Sequence, residues 1–199
     1  MLTGSSLRIF GSERAKTESR VHGAKLYSVL RVAIGQQLRP GDNGIEVGMH
    51  ALDEAADRLA RLLETTPPRL AAITNDDAAR RSGPDRWAPK EILGHLIDSA
   101  GNNHQRFVRG QLSPSVDSPG YAQESWVAAQ SYVTEPWPDL INLWLLFNRH
   151  LLHVMRHVRE DALETPIAIG GEPPVPLSFV MIDYVRHLEH HLAQILGSN

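Results

Sequence analysis

The pattern of apolar and polar positions after residue 49 is helical, and it occurs in four separate stretches. In each stretch apolar residues recur at intervals of three and four, which is the spacing of a helix that buries one face. Pro89 suits the first turn of its helix, where its missing N–H costs nothing. The four predicted helices run from about His50 to Thr74, from Pro89 through Val108, from Pro138 to about Val158 and from Leu177 to Leu196. The pattern therefore predicts an all-α fold.

Three connections join these helices, and two of them are long. Ser113 to Gly120 is rich in Pro, Ser and Gly, and it leads into a stretch around Trp126 whose structure the pattern leaves open. Glu164 to Pro176 contains four prolines and two glycines, which predicts a loop or a short hairpin. Within the first helix, Pro67 and Pro68 predict a break, because proline lacks the N–H of a helical hydrogen bond.

The first 48 residues differ from the rest of the chain. They are rich in Gly, Ser and Arg, and only Leu26 to Ile34 has the composition of a short helix or strand. We expect residues 1–48 to be a poorly ordered extension and residues 49–199 to form one domain. Two further hypotheses stay open for the extension. Its basic, acid-poor start suggests a transit peptide, and a start of translation at Met49 would remove it from the native protein.

Composition and charge limit the classes of partner. A formal net charge of −3 and a pI near 6.4 provide no basic surface for phosphate neutralisation, so we expect no nucleic-acid partner. The sequence shows no membrane span and no secretory signal, so we expect no membrane partner and a cytoplasmic location. The absence of cysteine excludes a disulfide, a thiolate ligand and a cysteine nucleophile. Any thiol in the chemistry must arrive with the substrate.

Three histidines lie within five positions of the fourth predicted helix. His187 and His191 are four apart, so their Cβ atoms lie about 5–6 Å apart on one face, and one divalent metal can bind both imidazoles. His191 falls inside the apolar stripe and His187 lies at its border. His190 lies on the polar side, as a solvated residue or one that holds a neighbour's tautomer. Spacing alone leaves open the alternative that these are ordinary surface histidines.

His95 in the second predicted helix is the candidate for a third ligand. It borders the apolar face, and Ser99, Asn102 and Arg106 follow at i+4, i+7 and i+11, which makes one polar line beside the core. Where helices pack together, such a line forms a pocket that orients a ligand. The alternative on spacing alone is an exposed helix edge. We predict that Ser99, Asn102 and Tyr184 line the substrate pocket.

Several short motifs occur in an order typical of one family. They are Trp87, Gly94-His95-Leu96-Ile97-Asp98-Ser99, Gln105-Arg106-Phe107, Tyr121 to Trp126, and Tyr184 to His191 followed by Leu-Ala-Gln-Ile. In order and spacing, over about residues 50 to 197, they resemble the DinB/YfiT-like superfamily. The resemblance implies a four-helix bundle with a divalent-metal site at His95, His187 and His191. Members of that family include S-transferases that use bacillithiol or mycothiol, a thiol-dependent isomerase and proteins named as metal-dependent hydrolases.

A metal held by three neutral imidazoles keeps an open position and lowers the pKa of what it binds there. We therefore expect a small-molecule substrate, and we favour a thiol-dependent S-transferase with a low-molecular-weight thiol. A hydrolase that uses metal-activated water is the first alternative, with Asp98 or Glu189 as acid or base. A non-catalytic metal-binding or interaction module is the second. Asp98 and Arg106 are the residues that we expect to take part in catalysis.

The sequence indicates the metal-binding histidines more clearly than it indicates the identity of the metal or the oligomeric state. Imidazole suits several transition metals, and we expect zinc or nickel ahead of iron or manganese. For the oligomeric state, a homodimer is the hypothesis that we retain. His150, His153 and His157 occur at i, i+3 and i+7 on the third helix, but a polar outer face gives the same pattern, so we predict no second metal site there.

Overall fold

The computed structural model describes residues 44–84 and 86–197, with side chains from residue 48 onward. The elements in chain order are α1 (Gly44–Ala71), α2 (Asn75–Ala78), α3 (Pro89–Gly110), β1 (Val116–Ser118), α4 (Gln123–Gln130), α5 (Trp137–Arg156), β2 (Pro166–Ile169), β3 (Val175–Pro176) and α6 (Leu177–Leu196), with short 3₁₀ helices at Tyr132–Thr134 and Glu160–Ala162. The four long helices confirm the predicted all-α four-helix bundle with long connections. The bounds of α6 are those predicted, and those of α5 differ by one or two residues.

The predicted break at Pro67 and Pro68 is wrong, because α1 contains both prolines and continues to Ala71. The end of α1 keeps backbone hydrogen bonds, such as that from the Ala72 N–H to the Pro68 carbonyl at 3.2 Å, and it is also held by tertiary contacts. Leu70 is fully buried, and the Trp137 indole N–H donates to its carbonyl at 2.9 Å. These contacts outweigh the helical hydrogen bonds that two prolines remove.

The core lies between the four long helices. α3 packs against both α5 and α6, and α1 contributes its apolar stripe to the same cluster of buried side chains. The stripe of α1 consists of Leu52, Ala55, Ala56, Leu59 and Leu63. Large side chains fill the middle of the core, among them Phe107, Trp144 and Leu188. Because α3 contacts two neighbouring long helices, side chains on its inner face meet residues from both.

A small sheet closes the loop ends of α3 and α6. β2 and β3 form the hairpin that the loop composition allowed, and β1 pairs with β2 in parallel through Val116 and Ile167. Gly170 and Gly171 have φ values of 62° and 80° in the turn, a conformation that favours glycine. The backbone N–H of Leu177 donates to the Thr165 carbonyl at 3.0 Å, so the hairpin also holds the first turn of α6.

Buried charged side chains fix the start of α3. The Glu91 carboxylate accepts a hydrogen bond from the Ala88 N–H at 2.8 Å and pairs with Arg81. The neighbouring Lys90 is buried, and its Nζ donates to the carbonyls of Val133 at 3.3 Å and Glu135 at 2.6 Å. These bonds hold the 3₁₀ segment Tyr132–Thr134 against the first turns of α3, where the candidate site begins.

A compact unit spans Gly48–Asn199. The predicted extension, residues 1–48, lies outside the described residues except for residues 44–48, which belong to α1. Among the helices that the structure describes, none has the length and apolar character needed to cross a membrane.

Candidate metal centre

Three imidazoles from two helices meet in the bundle. His95 comes from α3, and His187 and His191 come from successive turns of α6. Their candidate ligand atoms all lie within 4.8 Å of one another. The Nε2 atoms of His95 and His187 are 3.2 Å apart, and the ring of His191 is centred 4.8 Å from that of His95 and 4.5 Å from that of His187. Two nitrogens bound to one tetrahedral ion are separated by about 3.3 Å.

Burial keeps these imidazoles neutral. His95 is fully buried, and its pKa is lowered to about 4, mainly by this burial and then by the charge of His191. Burial, followed by the charge of His191 and other nearby groups, lowers the pKa of His187 to about 3. Burial lowers the pKa of His191 as well. Near neutral pH all three rings are therefore in the form that binds a metal.

The arrangement of donors fits a divalent metal. Two Nε2 atoms that face each other at 3.2 Å repel unless they share a proton or a cation. The three-residue cluster contains no carboxylate, and an all-imidazole set is typical of zinc, nickel, iron and copper sites. Within the described part of the chain, Nδ1 of His95 and Nδ1 of His187 are buried and have no hydrogen-bond partner. The Nε2 atoms are thus the ones that converge on a common point.

Gln194 orients the third imidazole. The Gln194 side-chain N–H donates to Nε2 of His190 at 3.0 Å, which leaves its Oε1 2.9 Å from Nδ1 of His191. A carbonyl oxygen only accepts, so Nδ1 of His191 carries the proton and Nε2 keeps its lone pair. His190 acts on its neighbour's tautomer in this way through Gln194, a residue that spacing alone did not single out.

Aromatic side chains wall one side of the histidines. The ring of Trp87 is centred 5.3 Å from that of His95, and that of Tyr121 6.5 Å from it. Trp126 packs on Tyr121 at 5.0 Å and is itself 43% exposed. Burial, followed by the charge of Asp98, raises the pKa of Tyr121 to about 12. The Tyr121 hydroxyl is therefore a neutral donor beside the triad.

Asp98, a predicted catalytic residue, lies one turn after His95 and is 6% exposed. Its Oδ1 accepts hydrogen bonds from the Tyr132 hydroxyl at 2.8 Å and from the Gln130 amide at 2.7 Å. Its Oδ2 is buried and has no hydrogen-bond partner in the described part of the chain. The sequence analysis missed Tyr132 and Gln130, which belong to the stretch that it left open.

Gly94 explains how Tyr132 reaches Asp98. A Cβ built at Gly94 would lie 2.1 Å from the Tyr132 ring, far inside van der Waals contact. Only glycine allows the ring to pack this closely on α3. A glycine directly before the histidine, within a helix, was the signal in the sequence for this close approach.

The polar line of α3 is a connected network. Asn103 donates to the carbonyl of Ser99 at 2.9 Å and accepts from Nη1 of Arg106 at 3.1 Å. Ser99, Asn103 and Arg106 are all buried. Asn102 is half-buried and donates to the Asp98 carbonyl at 2.9 Å. The polar line of α3 is therefore a covered seam under β1 and the loop that follows it, and not the exposed helix edge that spacing left as the alternative. Asn103 belongs to this seam, although spacing did not single it out.

Tyr184 and Glu189 are engaged elsewhere. Tyr184 is 2% exposed and its hydroxyl donates to Asn148 of α5, while its ring packs on Phe107 at 5.8 Å. Its hydroxyl is thus directed at the core rather than left free for a ligand. Glu189 accepts a hydrogen bond from Nε of Arg58 at 3.0 Å, which ties α6 to α1.

Fold and site together define a class of protein: a four-helix bundle that brings three neutral imidazoles from two helices to one point. The chain belongs to the DinB superfamily, whose family model matches residues 44–195. The sequence resemblance to this superfamily is thereby confirmed.

Relatives share this architecture at low identity. A protein of Oceanobacillus iheyensis, provisionally named a metal-dependent hydrolase, is 25% identical over 139 residues, which are 67% of this chain and 79% of that protein. YfiT from Bacillus subtilis, described as a probable metal-dependent hydrolase with an unusual four-helix bundle topology, superposes with a TM-score of 0.53 at 17% identity, over 79% of this chain and 89% of YfiT. A mycothiol-dependent maleylpyruvate isomerase superposes with a TM-score of 0.58 at 16% identity, over 77% of this chain and 61% of the isomerase.

Proposed function

We propose that this protein is a divalent-metal-dependent enzyme that transfers a low-molecular-weight thiol to a small electrophilic substrate. The observation that carries the proposal is the convergence of three neutral imidazoles, without a carboxylate, beside an aromatic wall. A divalent metal bound there supplies a Lewis acid, which lowers the pKa of a thiol in its open position. Zinc and nickel suit this donor set, as do iron and manganese to a lesser degree.

The remaining chemistry falls to the chain itself. The thiol sulphur forms a bond to an electrophilic carbon, the leaving group departs with its electron pair, and the thiol proton passes to solvent. Trp87, Tyr121 and Trp126 form the aromatic wall beside the triad against which the substrate would pack. The neutral Tyr121 hydroxyl, which hydrogen-bonds with Ser99, would donate a hydrogen bond to the leaving group. Because the chain has no cysteine, the sulphur must come from a free thiol.

The engagement of Glu189 and of one oxygen of Asp98 favours thiol transfer over hydrolysis. A metal-dependent hydrolase needs an acid or base within hydrogen-bond reach of its water. Glu189 is paired with Arg58, and Oδ1 of Asp98 is occupied by Tyr132 and Gln130. The fold of a mycothiol-dependent isomerase, which superposes on this chain, supports a thiol as co-substrate.

Hydrolysis is the second candidate, and one atom favours it. Oδ2 of Asp98 is buried one turn from His95 and has no hydrogen-bond partner in the described part of the chain, so it is available to accept a proton from water. The names of the O. iheyensis relative and of YfiT point to the same class of reaction.

Turnover assays separate these activities. Metal-loaded protein is mixed with an aryl halide or epoxide in the presence of a panel of low-molecular-weight thiols, and separately with carboxylic esters without thiol. Thiol transfer predicts thiol-dependent product formation that His95→Gln abolishes and His153→Gln, an exposed histidine of α5, leaves unchanged. Ester cleavage without thiol would establish the hydrolase instead. A metal-loaded protein that does neither is a binding module.

A further inference from the structure

We propose that Arg106 forms an oxyanion subsite, which holds a carboxylate or similar anionic group of the molecule that reacts at the histidine triad. The inference rests on the proposed function for the reaction, but the subsite itself is defined by residues away from the triad. Nothing in the enzyme class requires it, because a neutral thiol would serve the same chemistry.

The first observation is a buried cation without a counter-charge. Arg106 is 6% exposed, and none of the ion pairs among the described residues includes it. Burial lowers its pKa, which reflects the cost of holding its charge away from water. A buried charge is normally paired, since an unpaired charge held away from water is strongly unfavourable.

The second observation is unused hydrogen-bonding capacity. The guanidinium has five N–H donors. Three neutral oxygens in the described structure accept from it: Oγ of Ser118 at 3.2 Å, Oδ1 of Asn103 at 3.1 Å and the Pro119 carbonyl at 3.5 Å. One N–H on each Nη is left over. Two adjacent N–H groups are what a carboxylate or phosphate accepts in a bidentate pair.

The third observation is that Arg106 lies on the same helix as His95 and near the same tyrosine. Its Nη1 reaches back to Asn103, which follows His95 by eight positions on α3. At about 1.5 Å per residue, the guanidinium lies about 12 Å from the level of His95 along the helix axis. Tyr121 is near both residues, with its ring centred 6.5 Å from that of His95 and its pKa, raised mainly by burial, lowered in part by the charge of Arg106. The proposed ligand would therefore have its reacting group at the triad and its anionic end about 12 Å away along α3.

The competing explanation is that Arg106 only ties the end of β1 to α3. Two of its three described hydrogen bonds, those to Ser118 and Pro119, serve that purpose, and the third joins it to Asn103 within α3. A purely structural tie needs donors but no charge, and it makes no difference to the affinity for anionic ligands. The two explanations therefore differ in a measurable way.

The test compares ligands that differ only in the group opposite the thiol, which is either a carboxylate or a neutral hydroxyl. Probes are ω-mercaptoalkanoates of increasing chain length and ω-mercaptoalkanols of matched length, titrated calorimetrically into metal-loaded protein. The same titrations are made with alkanoates and alkanols that lack the thiol, using a variant in which His95, His187 and His191 are alanine. We expect the carboxylates to bind about tenfold more tightly than the alcohols in both proteins, with an optimum chain length for the mercaptoalkanoates.

Charge variants assign the preference to one side chain. Arg106→Gln should remove the carboxylate preference without weakening alcohol binding, and Arg109→Gln, an exposed arginine of the same helix, should leave it intact. Arg106→Lys keeps the charge and should keep part of the preference, so it replaces Arg106→Gln if that variant fails to fold by circular dichroism. Equal affinity for acid and alcohol in the wild type, or a preference that survives in Arg106→Gln, would overturn the subsite. A carboxylate preference without metal-dependent thiol binding would instead refute the thiol reaction and leave the subsite standing.

Discussion

Two groups of histidines in this bundle contain the same side chain in opposite surroundings. His95, His187 and His191 come from two helices and meet at one point. His150 and His153 lie on the exposed face of α5 and His157 directly follows its last residue, and neighbouring rings are centred 6.4 Å and 4.1 Å apart. His104 of α3 lies 5.2 Å from His150 and joins this stripe.

The difference between the two groups shows that a metal site depends on imidazoles that converge on one point, and not on how many imidazoles lie near one another. With His104 the stripe has four imidazoles, one more than the triad, but among the described residues no three histidines of the stripe bring ligand atoms together as the triad does. Rings along one helix face share a direction, so each points to solvent beside its neighbour. In the triad the ring of His95 is centred 5.1 Å from that of His187 and 4.8 Å from that of His191, so the second helix contacts both rings of the first, and burial holds the rings neutral. Histidine becomes a metal ligand through both effects together.

Removal of one histidine from each group should give the largest difference in metal affinity between the triad and the stripe. His187→Ala should lower the affinity for zinc by about a hundredfold, since each protein ligand contributes a few kcal/mol to binding. His153→Ala should change it by less than about twofold, because the ring is exposed and outside the triad. Competition with a chromophoric chelator measures both constants. Equal losses in the two variants would mean that the stripe and the triad bind metal alike.

Acid should destabilise the metal-free protein through the triad. The unfolded pKa of histidine is about 6.5, and in the folded state those of His95 and His187 are about 4 and about 3. Between these values the unfolded chain binds protons that the folded chain does not, so stability is complete above pH 6.5 and falls as the pH falls. We expect urea unfolding in chelator to show a loss of about 2 kcal/mol between pH 7 and 5.5.

Alanine variants show which histidines cause the loss of stability in acid. With alanine at all three triad positions the loss should largely disappear, whereas alanine at His150, His153 and His157 should leave it in place. A slope that persists without the triad would show that other groups cause it.

Two glycines of α3 show that the region near the triad packs more tightly on this helix than the region near the α5 stripe. Gly94 faces Tyr132, where a Cβ would lie 2.1 Å from the ring, whereas a Cβ at Gly101 would meet Phe147 at 3.8 Å, an ordinary contact beside the α5 stripe. Gly94→Ala should cost about 2 kcal/mol through overpacking, and Gly101→Ala should gain up to about 1 kcal/mol from helix propensity. Chemical denaturation tests both, and a harmless Gly94→Ala would contradict the packing of Tyr132 on α3.

The smallest expected effect concerns the orientation of His191. Gln194→Ala removes the acceptor for its Nδ1 proton and should weaken zinc binding about tenfold, as loss of an outer hydrogen bond to a ligand does. Gln194→Glu keeps an acceptor and should retain the affinity. If both variants bind zinc like the wild type, the amide has no part in setting the tautomer.

The sequence predicted what depends on periodicity and spacing. The bounds of α6 and the start of α3 follow from apolar spacing and from Pro89, and His187 and His191 follow from four-residue spacing on one helix. The persistence of α1 through Pro67 and Pro68 depends on Trp137, which is distant in sequence, so no local rule reveals it. The pairing of Tyr132 with Asp98 likewise depends on how the 3₁₀ segment packs on Gly94. Contacts of this kind exist only once the helices are assembled.

The most direct test of the account is metal content, measured by elemental mass spectrometry on tag-free protein. The wild type is compared with two triple alanine variants, one at His95, His187 and His191 and one at His150, His153 and His157, each checked for folding by circular dichroism. We predict about one divalent metal per chain in the wild type and in the α5 variant, and none in the triad variant. A triad variant that keeps its metal, or a wild type that takes up none after incubation with zinc, nickel, iron and manganese, would contradict the metal centre.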